Sequence, residues 1–353
     1  MPIEDILQRL PPIQPVDREW IAKAEARQLS LTKPPGSLGR LEEIANRVAA
    51  IQETLAPTVD AAQIVVFAGD HGVTAEGVAP YPSAVTAQMV ANFLAGGAAI
   101  NALAAAAGAG VTVVDIGVAS DAPSPTGTQG RRVAPGTRNM VREPAMTSDE
   151  ALAAIAVGIE QGLDAARRVD MIGLGEMGIG NSTAAAAITA ALTGLPPATV
   201  TGRGTGADDA MWRRKIAVIE EALRARQPDP DDGLDVLAKV GGLEIAGLVG
   251  VVLAGAATRR VVVTDGFIAT AAAAIAVRIA PAAGDYLFAA HRSIEPGHAA
   301  LLQLIAQEPL LDLRMRLGEG TGAALAFGVI RAAVAAFTRM ATFESAGVSD
   351  RPA

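Results

Sequence analysis

"IVVFAGDHG", Ile64 to Gly72, runs through five apolar residues without polar alternation and then meets Gly69, Asp70 and His71. A run this short reads as a strand. Its lack of alternation means that both faces are buried, the condition of a parallel strand covered by helices on either side. The same phrase recurs as "VTVVDIG" (Val111 to Gly117), "VDMIGLGE" (Val169 to Glu176), "VVVTDG" (Val261 to Gly266) and "YLFAAH" (Tyr286 to His291). Helical patterns of ten or more residues separate several of these runs. The strand–helix–strand rhythm predicts an α/β fold, a three-layer domain around a mostly parallel sheet.

In such sheets the ligand lies beyond the carboxyl ends of the strands. Asp70, Asp115, Glu176, Asp265 and His291 would gather there. Two readings stand for each of them: part of a reaction centre or polar ligand site, or a helix cap, a role that Asp favours at a strand-to-helix turn.

The chain has 353 residues, half of them hydrophobic but only 3% aromatic. That is enough apolar mass, chiefly Ala, Val, Leu and Ile, for one large or two modest domains. A net charge of -8 with no basic stripe argues against nucleic acid as a partner. Cysteine is absent, and His71, His291 and His298 lack the spacing of a helical metal pair. Neither a metal nor a cofactor is therefore expected. Met1 to Gln14 lacks the basic start and apolar core of a signal peptide, which makes cytoplasm the expected compartment. Gly77 to Val114 carries no charge, but Pro80, Pro82, Gly96, Gly97, Gly108 and Gly110 interrupt it, and no membrane span is expected.

Outside the strand rhythm, residues 1–60 look helical around "TKPPGSLG" (Thr32 to Gly39), and Gly322 to about Phe343 reads as one long helix. The expected division is a helical segment 1–60, a catalytic α/β domain 61–321, and a tail 322–353 that joins the first segment in a small helical domain. "QPDPDDGL" (Gln227 to Leu234) reads as a solvated turn. Ser120 to Pro144 is a long irregular stretch, either functional or simple surface variation.

Two phrases share one recipe: "LGEMGIGNSTAAAA" (Leu174 to Ala187) and "LGEGTGAALA" (Leu317 to Ala326). Each sets a glutamate and bare backbone N–H groups at a helix start, where unpaired donors and the helix dipole favour an anion such as phosphate. Asn181, Ser182 and Thr183 add candidate caps or phosphate donors. Gly173, Gly175 and Gly178 also spell the dinucleotide fingerprint, although the acid expected about 20 residues on is missing. Arg203 in that place would suit a 2′-phosphate, so an NADP-dependent oxidoreductase using the GLGEMG loop is the alternative reading. "VVVTDGFIAT" carries one acid, Asp265, and lacks the paired acids of a phosphoribosyl pyrophosphate loop. "GRGTGADDAMWRRK" (Gly202 to Lys215) offers a phosphate cradle with one cation, the other two of Arg213, Arg214 and Lys215 being left to a solvated face.

"LTKPPGSLGRLE", "FAGDHGVTAEGVAPYP", "TAQMVANF", "GLGEMGIGNSTAAAA", "GRGTG", "KVGGLEIAGLVG", "VVVTDGFI", "AHRSIEPGH" and "LGEGTGAALA" follow one another from Leu31 to Ala326. In that order they resemble the nicotinate-nucleotide:dimethylbenzimidazole phosphoribosyltransferase family of cobalamin biosynthesis. The resemblance implies a Rossmann-like α/β domain, a small helical domain assembled from both ends of the chain, and a homodimer. It also implies a reaction in which nicotinate mononucleotide gives its phosphoribosyl group to dimethylbenzimidazole, with inversion at the anomeric carbon, yielding α-ribazole phosphate and nicotinate. Glu319 matches the family's general base. Glu176, Gly178, Lys215, Ser293 and Gly320 match positions that hold ribose and phosphate, and Gln88, Met177 and Leu317 match the base pocket. Asp70 and Asp265 are expected behind the site or as caps, and His71 and His291 as structural residues.

Overall fold

A computed structural model describes residues 3–349 except Asp121 and Thr205. It contains a six-stranded parallel sheet: β1 (Ala62–Gly69), β2 (Ala109–Gly117), β3 (Gln129–Gly130), β4 (Met171–Met177), β5 (Val261–Thr264) and β6 (Leu287–Ala289). All five strand readings fall on strands. The sixth, β3, lies inside the irregular stretch 120–144 and is only two residues long, too short to leave a hydrophobic pattern.

The strand order is β3-β2-β1-β4-β5-β6, the doubly wound arrangement. The chain steps outward from β1 through β2 to β3, then returns to start β4 on the other side of β1. Crossovers leaving β1 and β4 therefore diverge and open a crevice at their carboxyl ends. Every residue of β1 is buried, which accounts for its unbroken apolar run.

Helices cover both faces. On one, Leu243–Ala257 is buried along its whole length and crosses Ser148–Ala166. An added Cβ on Gly158 would stand 1.9 Å from the Gly247 carbonyl oxygen, so only glycine permits the two backbones to approach this closely. Ser148–Ala166 begins at a capping box: the Thr147 hydroxyl accepts the Glu150 N–H while the Glu150 carboxylate accepts that of Thr147. On the other face, Thr321–Arg339 packs against β1, β4, β5, Ala99–Ala106 and Arg40–Gln52.

The ends of the chain meet in a short antiparallel bridge, Leu31 with Thr342. "TKPPGSLG" is folded around Glu42, whose carboxylate lies 2.8 Å from the Lys33 ammonium and accepts the N–H groups of Leu38 and Gly36. The 120–144 stretch is pinned to the sheet edge by Asp115. Its carboxylate accepts hydrogen bonds from the Val118 N–H, the Ser124 hydroxyl (2.6 Å) and Arg132 Nη2 (2.7 Å). Asp115 thus staples a loop.

Two helical stretches, 84–106 and Thr321–Arg339, are long and apolar enough by composition to cross a membrane. The first is split at Gly96 and Gly97 into Ala84–Leu94 and Ala99–Ala106, each too short for a hydrocarbon core. The second has the sheet on one side and Arg40–Gln52 on another.

Candidate active site

A cavity of about 760 Å³ opens at the carboxyl ends of the strands. Its walls come from the segments after β1, β4, β5 and β6 and from the irregular strap Met315–Glu319. The volume suits a nucleotide with a small aromatic base.

The two Leu-Gly-Glu phrases face each other across this crevice. The Glu319 N–H donates to the Glu176 carbonyl at 3.2 Å. An added Cβ on Gly175 would stand 2.6 Å from the Glu319 carbonyl oxygen, and one on Gly318 would stand 2.3 Å from Glu176 Oε1. The glycines of one phrase therefore admit the backbone or carboxylate of the other. Both glutamates line the cavity and are buried.

Glu319 sits in the left-handed region at φ 64°, between Gly318 at 93° and Gly320 at 89°. Its Oε2 accepts the Ile100 N–H at 3.2 Å. Burial raises its pKa above the ordinary carboxylate value, the Ile100 bond opposes that rise, and the charge of Asp265 adds to it. Glu176 is pushed well above its ordinary value, first by burial and then by the charges of Asp265 and Glu244, against a hydrogen bond from Asn181.

The polar lining falls into two hydrogen-bonded groups. The Lys215 ammonium, 1% exposed, donates to the Ser182 hydroxyl at 2.8 Å. Glu295 Oε1 accepts the Gly204 N–H at 2.9 Å, the Ser293 hydroxyl accepts the Glu295 N–H, and Arg316 donates to the Gly204 carbonyl. Burial pulls the Lys215 pKa down to about 8 even though Glu295 supports its charge. Arg213 and Arg214 are exposed, so one of the three cations turns inward. Thr205 of "GRGTG" lies outside the described residues. Much of the remaining wall is apolar: Val78, Tyr81, Val85, Met89, Met177, Phe267 and Leu317.

Glu176, Met177, Gly178, Lys215, Ser293, Leu317 and Glu319 all line the cavity. Gln88 does not; it is exposed, and its neighbour Met89 takes the wall position because adjacent helical residues point about 100° apart. Gly320 is also absent from the wall. Its N–H is committed to Asp265 Oδ2 at 3.0 Å, so it has no donor to offer a phosphate.

Asp265 accepts the Gly322 N–H as well, at 2.6 Å, which means that the helix start at 320–322 already holds an anion of its own. Asp70 lies outside the wall and accepts the Ala119 N–H. Of the five polar residues at strand ends, only Glu176 and His291 reach the cavity. Sequence reasoning named neither Tyr81, Met89 nor Glu295 for the site. Each nevertheless lies inside a quoted motif: Tyr81 in "FAGDHGVTAEGVAPYP", Met89 in "TAQMVANF" and Glu295 in "AHRSIEPGH".

His71 and His298 serve buried networks. His71 Nε2 lies 2.7 Å from Glu244 Oε1 with both side chains shielded from solvent. Burial opposes its protonation, but the charge and hydrogen bond of Glu244 carry its pKa up. The His298 Nδ1 accepts the Ser293 N–H at 2.9 Å, leaving Nε2–H to donate to Thr270, and burial holds its pKa down to about 3. His298 is therefore a neutral strut under Ser293. Among the described residues no group of three or more His, Asp or Glu is arranged to hold a metal ion.

The dinucleotide reading fails on geometry. Gly173 and Gly175 lie inside β4, where the first would carry its Cβ into Ile64 and Phe327, rather than in a turn that could wrap a pyrophosphate. Arg203 is engaged with Asp209 and the Ala207 carbonyl.

A family model described as phosphoribosyltransferase matches residues 13–348. The nicotinate-nucleotide–dimethylbenzimidazole phosphoribosyltransferase of Geobacter sulfurreducens is 55% identical over 346 residues, 98% of each chain. That of Chloroflexus aurantiacus is 55% identical over 342 residues, covering 96% of this chain and 97% of the relative. The crystal structure of the Thermus thermophilus protein of the same name superposes with a TM-score of 0.90 at 48% identity, over 95% of this chain and all of that one. On near-complete coverage in both sequence and fold, the chain belongs to the nicotinate-nucleotide–dimethylbenzimidazole phosphoribosyltransferase family.

Proposed function

We propose that this protein transfers the phosphoribosyl group of nicotinate mononucleotide to 5,6-dimethylbenzimidazole, with Glu319 as general base. The observation that carries the reading is a single cavity containing a buried carboxylate, an apolar wall and a buried lysine bonded to the Ser182 hydroxyl. One benzimidazole nitrogen attacks the anomeric carbon as the bond to nicotinate breaks. That electron pair returns to the pyridine nitrogen, neutralising it, and the other benzimidazole nitrogen gives its proton to Glu319. Attack opposite the leaving group turns the β-nucleotide into α-ribazole phosphate.

Glu319 suits the role because burial raises its basicity and the αL turn delivers it into the cavity. Exclusion of water protects an oxocarbenium-like ribose from hydrolysis. Lys215, Ser182 and Ser293 offer the phosphate a charge and hydroxyl donors. Glu176 and Gly178, which line the same cavity, would meet the ribose, and Met177, Leu317 and Met89 the methylated ring. Met89 replaces Gln88 in this reading.

Ala84–Leu94 and Ala99–Ala106 carry no charged residue of their own and expose Ala91, Ala102 and Ala105. That surface supports the expected homodimer. Incubating the protein with nicotinate mononucleotide and dimethylbenzimidazole and resolving the products by chromatography tests the reaction. Appearance of α-ribazole phosphate is expected, and its absence refutes the assignment.

A further inference from the structure

Asp265 is the first residue after β5 and stands outside the cavity wall, 1% exposed. Its two oxygens nevertheless bracket the turn that carries Glu319. Oδ2 accepts the Gly320 N–H at 3.0 Å and Oδ1 accepts the Gly322 N–H at 2.6 Å. Between Gly318 and the helix start, three successive residues have positive φ. Two are glycines and adopt it freely. Glu319 has a Cβ, and for such a residue the left-handed region costs about 1–2 kcal/mol. A conformation of that kind persists only where its surroundings over-determine it.

Asp265 supplies one constraint; the bond from the Glu319 N–H to the Glu176 carbonyl and those from the Thr321 N–H and hydroxyl to the Gly318 carbonyl supply others. A routine cap comes from the residue just before a helix. Asp265 arrives from a strand 55 positions earlier, with His291 Nε2 3.6 Å from its Oδ1. His291 itself lines the cavity.

We propose that Asp265 is the positioning residue for Glu319: seated as an anion on the helix start, it holds residues 318–322 in the conformation that presents the Glu319 carboxylate to substrate. This rests on the reading of Glu319 as base. A consequence in charge accompanies the one in geometry. The groups facing Glu319 are Asp265 from β5, Glu176 from β4 and the Ile100 N–H from Ala99–Ala106; those facing Asp265 are His291 and Glu176. Asp265 is a negative neighbour that disfavours ionised Glu319, so neutralising it eases ionisation of the base.

The test is steady-state kinetics of the full chain from pH 5 to 9 for Asp265→Asn and Asp265→Glu, with melting temperatures alongside. Asp265→Asn is expected to lose about 100-fold in kcat through misplacement of the base. KM for both substrates should change little, and the acid limb of the kcat profile should move to lower pH. Asp265→Glu keeps the charge but lengthens the side chain, so it should lose turnover with the acid limb unmoved. The proposal is overturned if Asp265→Asn keeps wild-type kcat, if the loss falls on KM, or if the acid limb stays in place. It is also overturned if neither variant folds, which would assign Asp265 to stability. Absence of product from the wild type is a separate outcome and refutes the reaction itself.

Discussion

Glu319→Gln separates chemistry from shape. The substitution conserves volume, and a glutamine oxygen can still accept the Ile100 N–H that Glu319 Oε2 accepts at 3.2 Å. No cavity forms and no new strain is added at φ 64°, because the backbone requirement is unchanged. What disappears is the proton acceptor. General-base catalysis contributes about 10²- to 10⁴-fold, or about 3–5 kcal/mol of barrier.

Stability should move the other way. The Glu319 pKa is raised in the folded protein, so the native state binds more protons than the unfolded chain between the two pKa values, and stability falls as pH rises through that window. Removing the ionisable group lifts that penalty at neutral pH. The variant's melting temperature should equal or exceed that of the wild type at pH 7, with the gain vanishing below the ordinary carboxylate pKa. The assay pairs single-turnover formation of α-ribazole phosphate with calorimetric titration of dimethylbenzimidazole. Turnover within tenfold of wild type, or loss of base binding, would refute the reasoning.

Lys215→Met should raise KM for nicotinate mononucleotide by about 10- to 100-fold with a smaller effect on kcat, the worth of a charge-assisted hydrogen bond. In the wild type that KM should climb as pH rises through about 8, where the buried amine loses its proton; a flat profile counts against Lys215 as the phosphate ligand. Glu244→Gln should destabilise the fold by about 3–5 kcal/mol in urea unfolding at pH 6, because it breaks a fully buried pair. The His71 pKa is raised on folding, so the pair's contribution is present at low pH and lost as pH rises through the folded value, and the deficit should shrink as pH rises. Gly158→Ala, whose Cβ would meet the Gly247 carbonyl oxygen at 1.9 Å, should cost about 1–3 kcal/mol. An unchanged unfolding midpoint would mean that the two helices separate freely.

Local patterns were informative where the physics is local. "IVVFAGDHG" reads as a buried parallel strand because covering both faces requires an unbroken apolar run, and β1 is buried throughout. The capping box before Ser148–Ala166 is a four-residue signal. β3, two residues paired with Val114 and Asp115 of β2, has no such signature because its position is set by that pairing and by the Asp115 contacts to the loop that carries it. Gly173, Gly175 and Gly178 matched a fingerprint by spacing alone. The real use of Gly173 and Gly175, to admit Glu319 and the helix behind it, depends on a segment near the far end of the chain.

At the site, sequence alone determined which residue types were available at strand ends and helix starts, and the ordered motifs identified the family to which they belong. Tertiary packing decided which of them face one another. Gln88 and Met89 are neighbours in sequence with no local reason to prefer either, and only the packing of Ala84–Leu94 turns Met89 into the cavity. The helix start after Glu319 looked ready for a phosphate until the fold delivered Asp265 to it. Unpaired N–H groups advertise an anion site in any sequence, but whether a ligand or the protein's own carboxylate fills it depends on through-space distance, which the order of residues does not encode.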